Sequence, residues 1–346
     1  MEINYIKGSS SDFFKFVDSI NDEDKVAILS HNDLDGLSAG VFLEKILEAK
    51  NIPVEYIDFL DIKADMMKEV FGKLKDLEIT KIFISDIGVD SIDFEGFSDL
   101  RKDFDVFLID HHPMNQEIAD WDNIIKTDSQ DCAGMTCYFL GEGLIDAEEW
   151  NWLCCAAIFS DFSYKEKKNL EYLQESYPGI TYDNISSSTP GINGRKINSA
   201  LIYYAQDKKY VFKLVKERKL NEIDEAHEIV EEEIERLIDE FPSRGEHHDD
   251  KHIHLYEINS KFNVISTVCS LVSKMKVEDT FVFYSKKADG TVKFSARNQG
   301  GTKDVGELMR KCTAGLEGAN GGGHKPAAAA NVKLQDFDEF KKRLLE

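Results

Sequence analysis

The chain has 346 residues, enough for two domains that each bury a core, and 42% hydrophobic with 31% charged residues describes a soluble globular protein. No apolar run approaches the roughly 20 residues that span a bilayer, and the opening MEINYIKGSS lacks the basic-then-apolar layout of a secretory leader, so a cytoplasmic protein with no membrane partner is expected. The net charge of −23 is uneven: residues 1–245 hold 26 basic against 51 acidic groups, residues 246–346 hold 16 against 14, and the acidic part repels long nucleic acid unless metal ions or a local groove compensate.

The first strong element is the apolar run Val26–Ser30, which reads as a strand buried on both faces. It leads into HNDLDG, where His31, Asp33 and Asp35 share one face if the chain stays extended. Helical spacing follows over 37–49, then strand-like Val54–Leu60, helical 63–76, and strand-like Lys81–Asp86 and Asp105–Asp110. Helical patterns return over 133–144 and 147–160. Alternation of this kind predicts an α/β fold, a parallel sheet with helices on both faces. The Ser/Pro/Gly/Asn-rich stretch 180–194 reads as a loop, and 195–241 as helical, ending in an amphipathic connector.

A second, smaller mixed α/β domain is expected to begin near residue 252, with strands in HIHLYEI and in TFVFYSKKADGTVKFSARN, the latter turned at Ala288-Asp289-Gly290. The predicted division is therefore 1–194, a helical connector 195–245, and 246–346. Cys132, Cys137, Cys154, Cys155, Cys269 and Cys312 have no zinc-type spacing and read as buried free thiols of a reducing compartment.

Acidic and imidazole groups recur where strands end. KIFISDIG puts Asp86 after one strand, DVFLIDHHP puts Asp110, His111 and His112 after another, and WLCCAAIFSDFSY puts Asp161 at a helix end. A single such Asp is usually a helix cap or turn former. Repetition at successive ends instead gathers five Asp and three His at one sheet edge. Without cations those carboxylates repel and raise one another's pKa; with two divalent cations they form a binuclear site.

Toward the C-terminus, GANGGGHKPAAAA offers Gly321, Gly322 and Gly323, whose backbone N–H groups can approach an anion, with His324 and Lys325 beside them. The plainer reading is a loop before a packed alanine-rich segment. FSARNQ adds Arg297, a phosphate fork or a surface arginine. GEHHDDKHIH, residues 245–254, could bind a cation but reads more simply as the exposed end of the connector.

In order, HNDLDG, SDIG, DHH, SDFS and GGGHK resemble the DHH phosphoesterase superfamily with its DHH-associated C-terminal domain, in particular the RecJ-like exonucleases and small oligonucleotide phosphodiesterases, over nearly the whole chain. The sequence departs from many of the small phosphodiesterases in placing its first His two residues before the first Asp rather than four. The resemblance implies two Mn²⁺ per chain, with Mg²⁺ or Co²⁺ as substitutes. One would be held by His31, Asp33 and Asp86, the other by Asp35, Asp86, His111 and Asp161. Asp110 would orient a ligating imidazole, and His112 would act on the scissile phosphate. Arg297, Gly321, Gly322, Gly323 and His324 would grip the nucleotide.

The implied activity is hydrolysis of phosphodiester bonds in single-stranded or short oligonucleotides, cyclic dinucleotides among them. The alternatives are an inorganic pyrophosphatase or polyphosphatase, and a non-catalytic replication or repair scaffold of the same fold. A homodimer and a replication or repair partner are compatible with all three.

Overall fold

The strand Val26–His31 sends Val26 and Ile28 into one apolar core and Ala27 and Leu29 into another, the period of two expected of a strand buried on both faces. Lys81–Ser85 and Asp105–Asp110 repeat the pattern: Phe83, Phe107 and Ile109 join the first core, Ile82, Ile84, Val106 and Leu108 the second. The computed structural model describes residues 2–346, which divide into two compact units meeting at His227 and Glu228. The division falls inside the segment 195–245 expected as a connector.

In the first unit the strands are β1 (Tyr5–Lys7), β2 (Val26–His31), β3 (Val54–Leu60), β4 (Lys81–Ser85), β5 (Asp105–Asp110) and β6 (Ile124–Thr127). They lie in the order β1-β6-β5-β4-β2-β3, parallel throughout except for β1. The helices are α1 (Ser10–Asp18), α2 (Leu34–Ala49), α3 (Met66–Asp76), α4 (Val89–Ile92), α5 (Phe94–Asp103), α6 (Ala133–Leu140), α7 (Ala147–Ser160), α8 (Lys167–Ser176), α9 (Thr189–Tyr203) and α10 (Lys208–Lys216). Residues of α1, α2, α6, α7, α9 and α10 build the first core, and those of α3 and α5 the second, so the sheet is covered on both faces. Burying Phe83 or Phe107 completely contributes about 1.5–3 kcal/mol each.

The chain order reverses between β2 and β4: β3 lies on one side of β2, and β4, β5 and β6 follow on the other. At such a switch point the crevice beyond the carboxyl ends of the strands is the place for a ligand.

The stretch 180–194 differs from the loop expected. Helix α9 already starts at Thr189, because Ser188 accepts a hydrogen bond from the Gly191 N–H and Pro190 sits in the first turn, where its missing N–H costs nothing. Helix α11 (Asp224–Arg244) runs across the division between the units.

In the second unit β7 (Glu246–His248), β8 (Ile253–Glu257), β9 (Thr280–Lys286), β10 (Thr291–Arg297), β11 (Asn320–His324) and β12 (Ala327–Lys333) form a mixed sheet ordered β11-β12-β10-β9-β8-β7. The helices are α12 (Ile265–Val272), α13 (Val305–Thr313) and α14 (Phe337–Leu345). The β9–β10 hairpin turns at Gly290 with φ +81°, as the Asp-Gly pair predicts. Residues 245–254 are not an exposed connector end: β7 pairs with β8, and His254 is buried with its Nε2 2.8 Å from Asp279. All six cysteines are free and buried, and no helix among the described residues is long and apolar enough to cross a membrane.

Candidate metal centre

His31 is the last residue of β2, and the chain then bends instead of staying extended. Asp33 caps α2, accepting from the Gly36 N–H at 3.0 Å, and Asp35 lies in the first helical turn. The common face expected of His31, Asp33 and Asp35 in an extended chain is thus replaced by a strand-to-helix turn. Gly36 makes that turn possible, since a Cβ there would lie 2.4 Å from the His31 carbonyl oxygen. Asp86 follows β4 directly with φ +60°, a left-handed conformation that Asp tolerates better than most residues. His111 follows β5, and Asp161 is the C-cap of α7.

These elements converge at the switch point. His31 Nδ1 lies 3.1 Å from Asp33 Oδ2 and 3.5 Å from Asp86 Oδ2. His111 Nε2 lies 3.2 Å from Asp86 Oδ1 and 4.0 Å from Asp35 Oδ2, and its Nδ1 lies 3.8 Å from Asp161 Oδ2. Two groups of donor atoms, each within 4.8 Å, therefore share Asp86: His31 with Asp33, and His111 with His112. Asp35 differs from a freely available ligand because its carboxylate caps α6, accepting from the Ala133 and Gly134 N–H groups at 2.8 Å each.

The charges are incompletely balanced. Burial, reinforced by Asp86 and Asp161, pushes the Asp35 carboxyl well above the usual carboxylate range. Burial and the Asp86 and Asp33 charges push Asp161 up to about 6 against the pull of His111. Burial pulls His31 and His111 down, yet the surrounding carboxylates hold both imidazoles well above their usual range. Asp86 Oδ2 is buried without a close hydrogen bond, its contact to His31 Nδ1 being 3.5 Å, so a cation there would complete its polar environment. Mixed carboxylate and imidazole donors suit Mn²⁺-type cations better than Mg²⁺. The residues present fit divalent cations.

A second network lies beside the first. Lys126, on β6, is completely buried and reaches Asp90 Oδ1 at 2.7 Å and Asp110 Oδ2 at 2.5 Å. The other Asp110 oxygen is 2.8 Å from His112 Nδ1. Burial opposes it, but His112 and Lys126 hold Asp110 far below the usual carboxylate range. Asp110 therefore orients His112. The imidazole of His111 is oriented instead by the Ser129 carbonyl, 3.1 Å from its Nδ1. Lys126 and Asp90 escape sequence reasoning; the one signal is a lysine inside the apolar run Ile124–Thr127.

The remaining expected residues belong to the second unit. Arg297 is not a surface arginine: Ser270 accepts from its Nε at 2.9 Å, and Ser266 and Ser295 accept from its terminal nitrogens. Gly321, Gly322, Gly323 and His324 lie on β11, an edge strand instead of a loop. A Cβ at Gly321 would lie 2.6 Å from the Met309 carbonyl oxygen, so this glycine lets α13 pack against the strand. His324 is exposed.

Fold and site together define an α/β protein with clustered Asp and His side chains, able to hold a metal ion, at a topological switch point. Residues 25–192 match the DHH family N-terminal domain and residues 249–346 the DHHA1 domain. The chain belongs to the DHH superfamily, with a DHHA1 C-terminal domain, and this membership supports a phosphoesterase or nuclease type of function.

The fold is similar to that of RecJ in complex with Mn²⁺ from Thermus thermophilus, with TM-score 0.69 and 16% identity over 97% of this chain and 53% of that one. It is similar to exonuclease RecJ bound to manganese, with TM-score 0.71 and 14% identity over 99% and 94%. CDC45 from Entamoeba histolytica shares the fold too, with TM-score 0.65 and 10% identity over 97% and 98%. This chain thus spans about half of the first of these structures and nearly all of the other two. No curated protein matches it in sequence.

Proposed function

We propose that the protein is a divalent-cation-dependent phosphodiesterase that hydrolyses single-stranded or short oligonucleotides, cyclic dinucleotides included, in the cytoplasm. The observation that carries this reading is the pair of donor groups sharing Asp86, whose buried Oδ2 makes no close hydrogen bond and has His31 Nδ1 at 3.5 Å. His31, Asp33 and Asp86 would hold one Mn²⁺, and Asp35, Asp86, His111 and Asp161 a second, with Mg²⁺ or Co²⁺ as substitutes. When bound, such cations make hydroxide available near neutral pH and neutralise phosphoryl charge.

The chain's own groups do the rest. Asp33 and Asp86 orient the His31 ring, and the Ser129 carbonyl fixes that of His111. His112 has Nδ1 committed to Asp110, which leaves Nε2 as its available nitrogen. The Asp110 pair raises the His112 pKa against the downward pull of burial, so the ring is poised to donate a proton or stabilise developing charge on a phosphoryl or leaving oxygen. In the second unit, Arg297, set by three serines, and the exposed His324 beside Gly321, Gly322 and Gly323 supply donors for a nucleotide phosphate.

The test is a Mn²⁺-supplemented digestion series resolved by product length, comparing a dinucleotide, a cyclic dinucleotide, a five-mer, long single strands of RNA and DNA, and pyrophosphate. Cleavage of the short strands is expected. Cleavage of pyrophosphate alone would make the protein a pyrophosphatase, and silence on every substrate with metal bound would make it a scaffold.

A further inference from the structure

Immediately after Asp161, the C-cap of α7, the left-handed position that ends the helix is filled by a phenylalanine. Phe162 has φ +58° and ψ +15°, the left-handed region, where a residue with a Cβ costs about 1–2 kcal/mol. Among the described residues, the other non-glycine residues at positive φ are Asn51, Asp65, Glu78, Asp86, Asn123, Arg218 and His252, all polar. Phe162 is the one apolar member, and its side chain is not tucked away: the residue is 47% exposed. Helix termination accounts for the backbone, with the Phe162 N–H donating to the Phe159 carbonyl at 3.2 Å, but not for the choice of an exposed phenylalanine at that position.

The ring also has company. Tyr164 lies 6.1 Å from it, centroid to centroid, and Tyr182, 53% exposed, lies 6.4 Å from Tyr164. Tyr164 is nearly buried and stacks on Phe159, with ring planes 12° apart, which anchors the group from beneath. Lys165 Nζ sits 5.1 Å from the Phe162 ring centroid. The result is a short aromatic strip, cationic at one end, attached by one peptide bond to a residue of the metal centre.

We propose that Phe162, with Tyr182, is a stacking platform for a nucleobase of the substrate next to the phosphate being cleaved, and that Lys165 meets a neighbouring phosphate. This rests on the phosphodiesterase reading and adds how the substrate is held. A base is the occupant the chemistry favours: it offers a flat π-face of any sequence to an exposed ring and carries a phosphate to both Lys165 and the cations. Left-handed backbone at a site of chemistry is where a ring aimed by strain is expected.

The test uses the full chain and two single-stranded five-mers of equal length, one with bases and one abasic throughout. Binding is read by anisotropy of a labelled strand and hydrolysis by KM and kcat. Phe162→Gly is the informative variant, because glycine suits φ +58° and the fold should keep or gain melting temperature. The native protein should prefer the base-bearing strand by about five- to a hundred-fold in Kd and KM, and Phe162→Gly should collapse that ratio toward one. Phe162→Trp should restore it. An undiminished preference in Phe162→Gly would overturn the proposal, as would equal weakening of both strands. If Phe162→Gly abolishes the base preference in binding but the native protein hydrolyses neither strand, Phe162 is a base-stacking residue and the phosphodiesterase reading falls.

Discussion

Two buried clusters of charge lie side by side at the sheet edge, and they are built on opposite principles. In the first, Lys126 joins Asp90 and Asp110, and Asp110 in turn holds His112, so every charge has a close opposite. In the second, Asp35, Asp86 and Asp161 crowd two imidazoles, one Asp86 oxygen has only a 3.5 Å contact to His31 Nδ1, and two of the carboxyls resist ionisation. The closed network is balanced as the chain folds; the open one is left with charge that the proposed cations would balance.

The contrast breaks most visibly at Asp86. Asp86→Ala should lower hydrolysis by about a thousandfold or more, since cation chemistry contributes several kcal/mol, and cation content should fall with it, read by metal analysis after gel filtration. Full activity would move the site elsewhere. Lys126→Met strands two buried carboxylates and should cost about 3–5 kcal/mol of stability in denaturant unfolding. A loss of a few tenths would mean that the closed network is not closed.

Removing a charge from the open cluster should do the reverse. Asp161 carries a folded-state pKa of about 6 against about 3.9 for an unfolded Asp. Its ionisation therefore opposes folding above about pH 4, and the penalty reaches full size above about pH 6. Asp161→Asn should stabilise the metal-free protein by about 1–3 kcal/mol at about pH 7 and by nothing at about pH 4, as denaturation midpoints at the two values would show. A destabilised variant at neutral pH would mean that Asp161 is already compensated. The smallest effect is expected farthest from both clusters in sequence: His324→Ala should raise KM roughly tenfold while cation content stays near that of the native protein. Loss of cations in that variant would contradict the role given to β11.

The three central strands could be read from the sequence because burial on both faces leaves an uninterrupted apolar run, and the Asp and His letters that end them stand out for that reason. The bend at Asp33 could not: the same residue ends a strand or caps a helix, and what decides is the close approach of Gly36 to the His31 carbonyl. Lys126 reads as a surface residue until the positions of Asp90 and Asp110 are known. Strand β11 has three glycines and hence no side-chain alternation to reveal it, while β1 and β6 are too short to show a period. The start of α9 was hidden because Ser, Pro and Gly also compose loops. Phe162 looks ordinary in sequence; only its backbone angle singles it out.

The residues around Asp86 arrive from β2, from behind β4 and β5, and from the end of α7, positions 31 to 161 of the chain. No short segment holds more than a fragment of the set. An unfolded or half-synthesised chain thus has little to offer a cation, in contrast to small zinc domains whose metal organises the fold. The strands must first find their neighbours, while the three crowded carboxylates push back. Cations bound as proposed would therefore stabilise only the assembled sheet, and none of its incomplete forms.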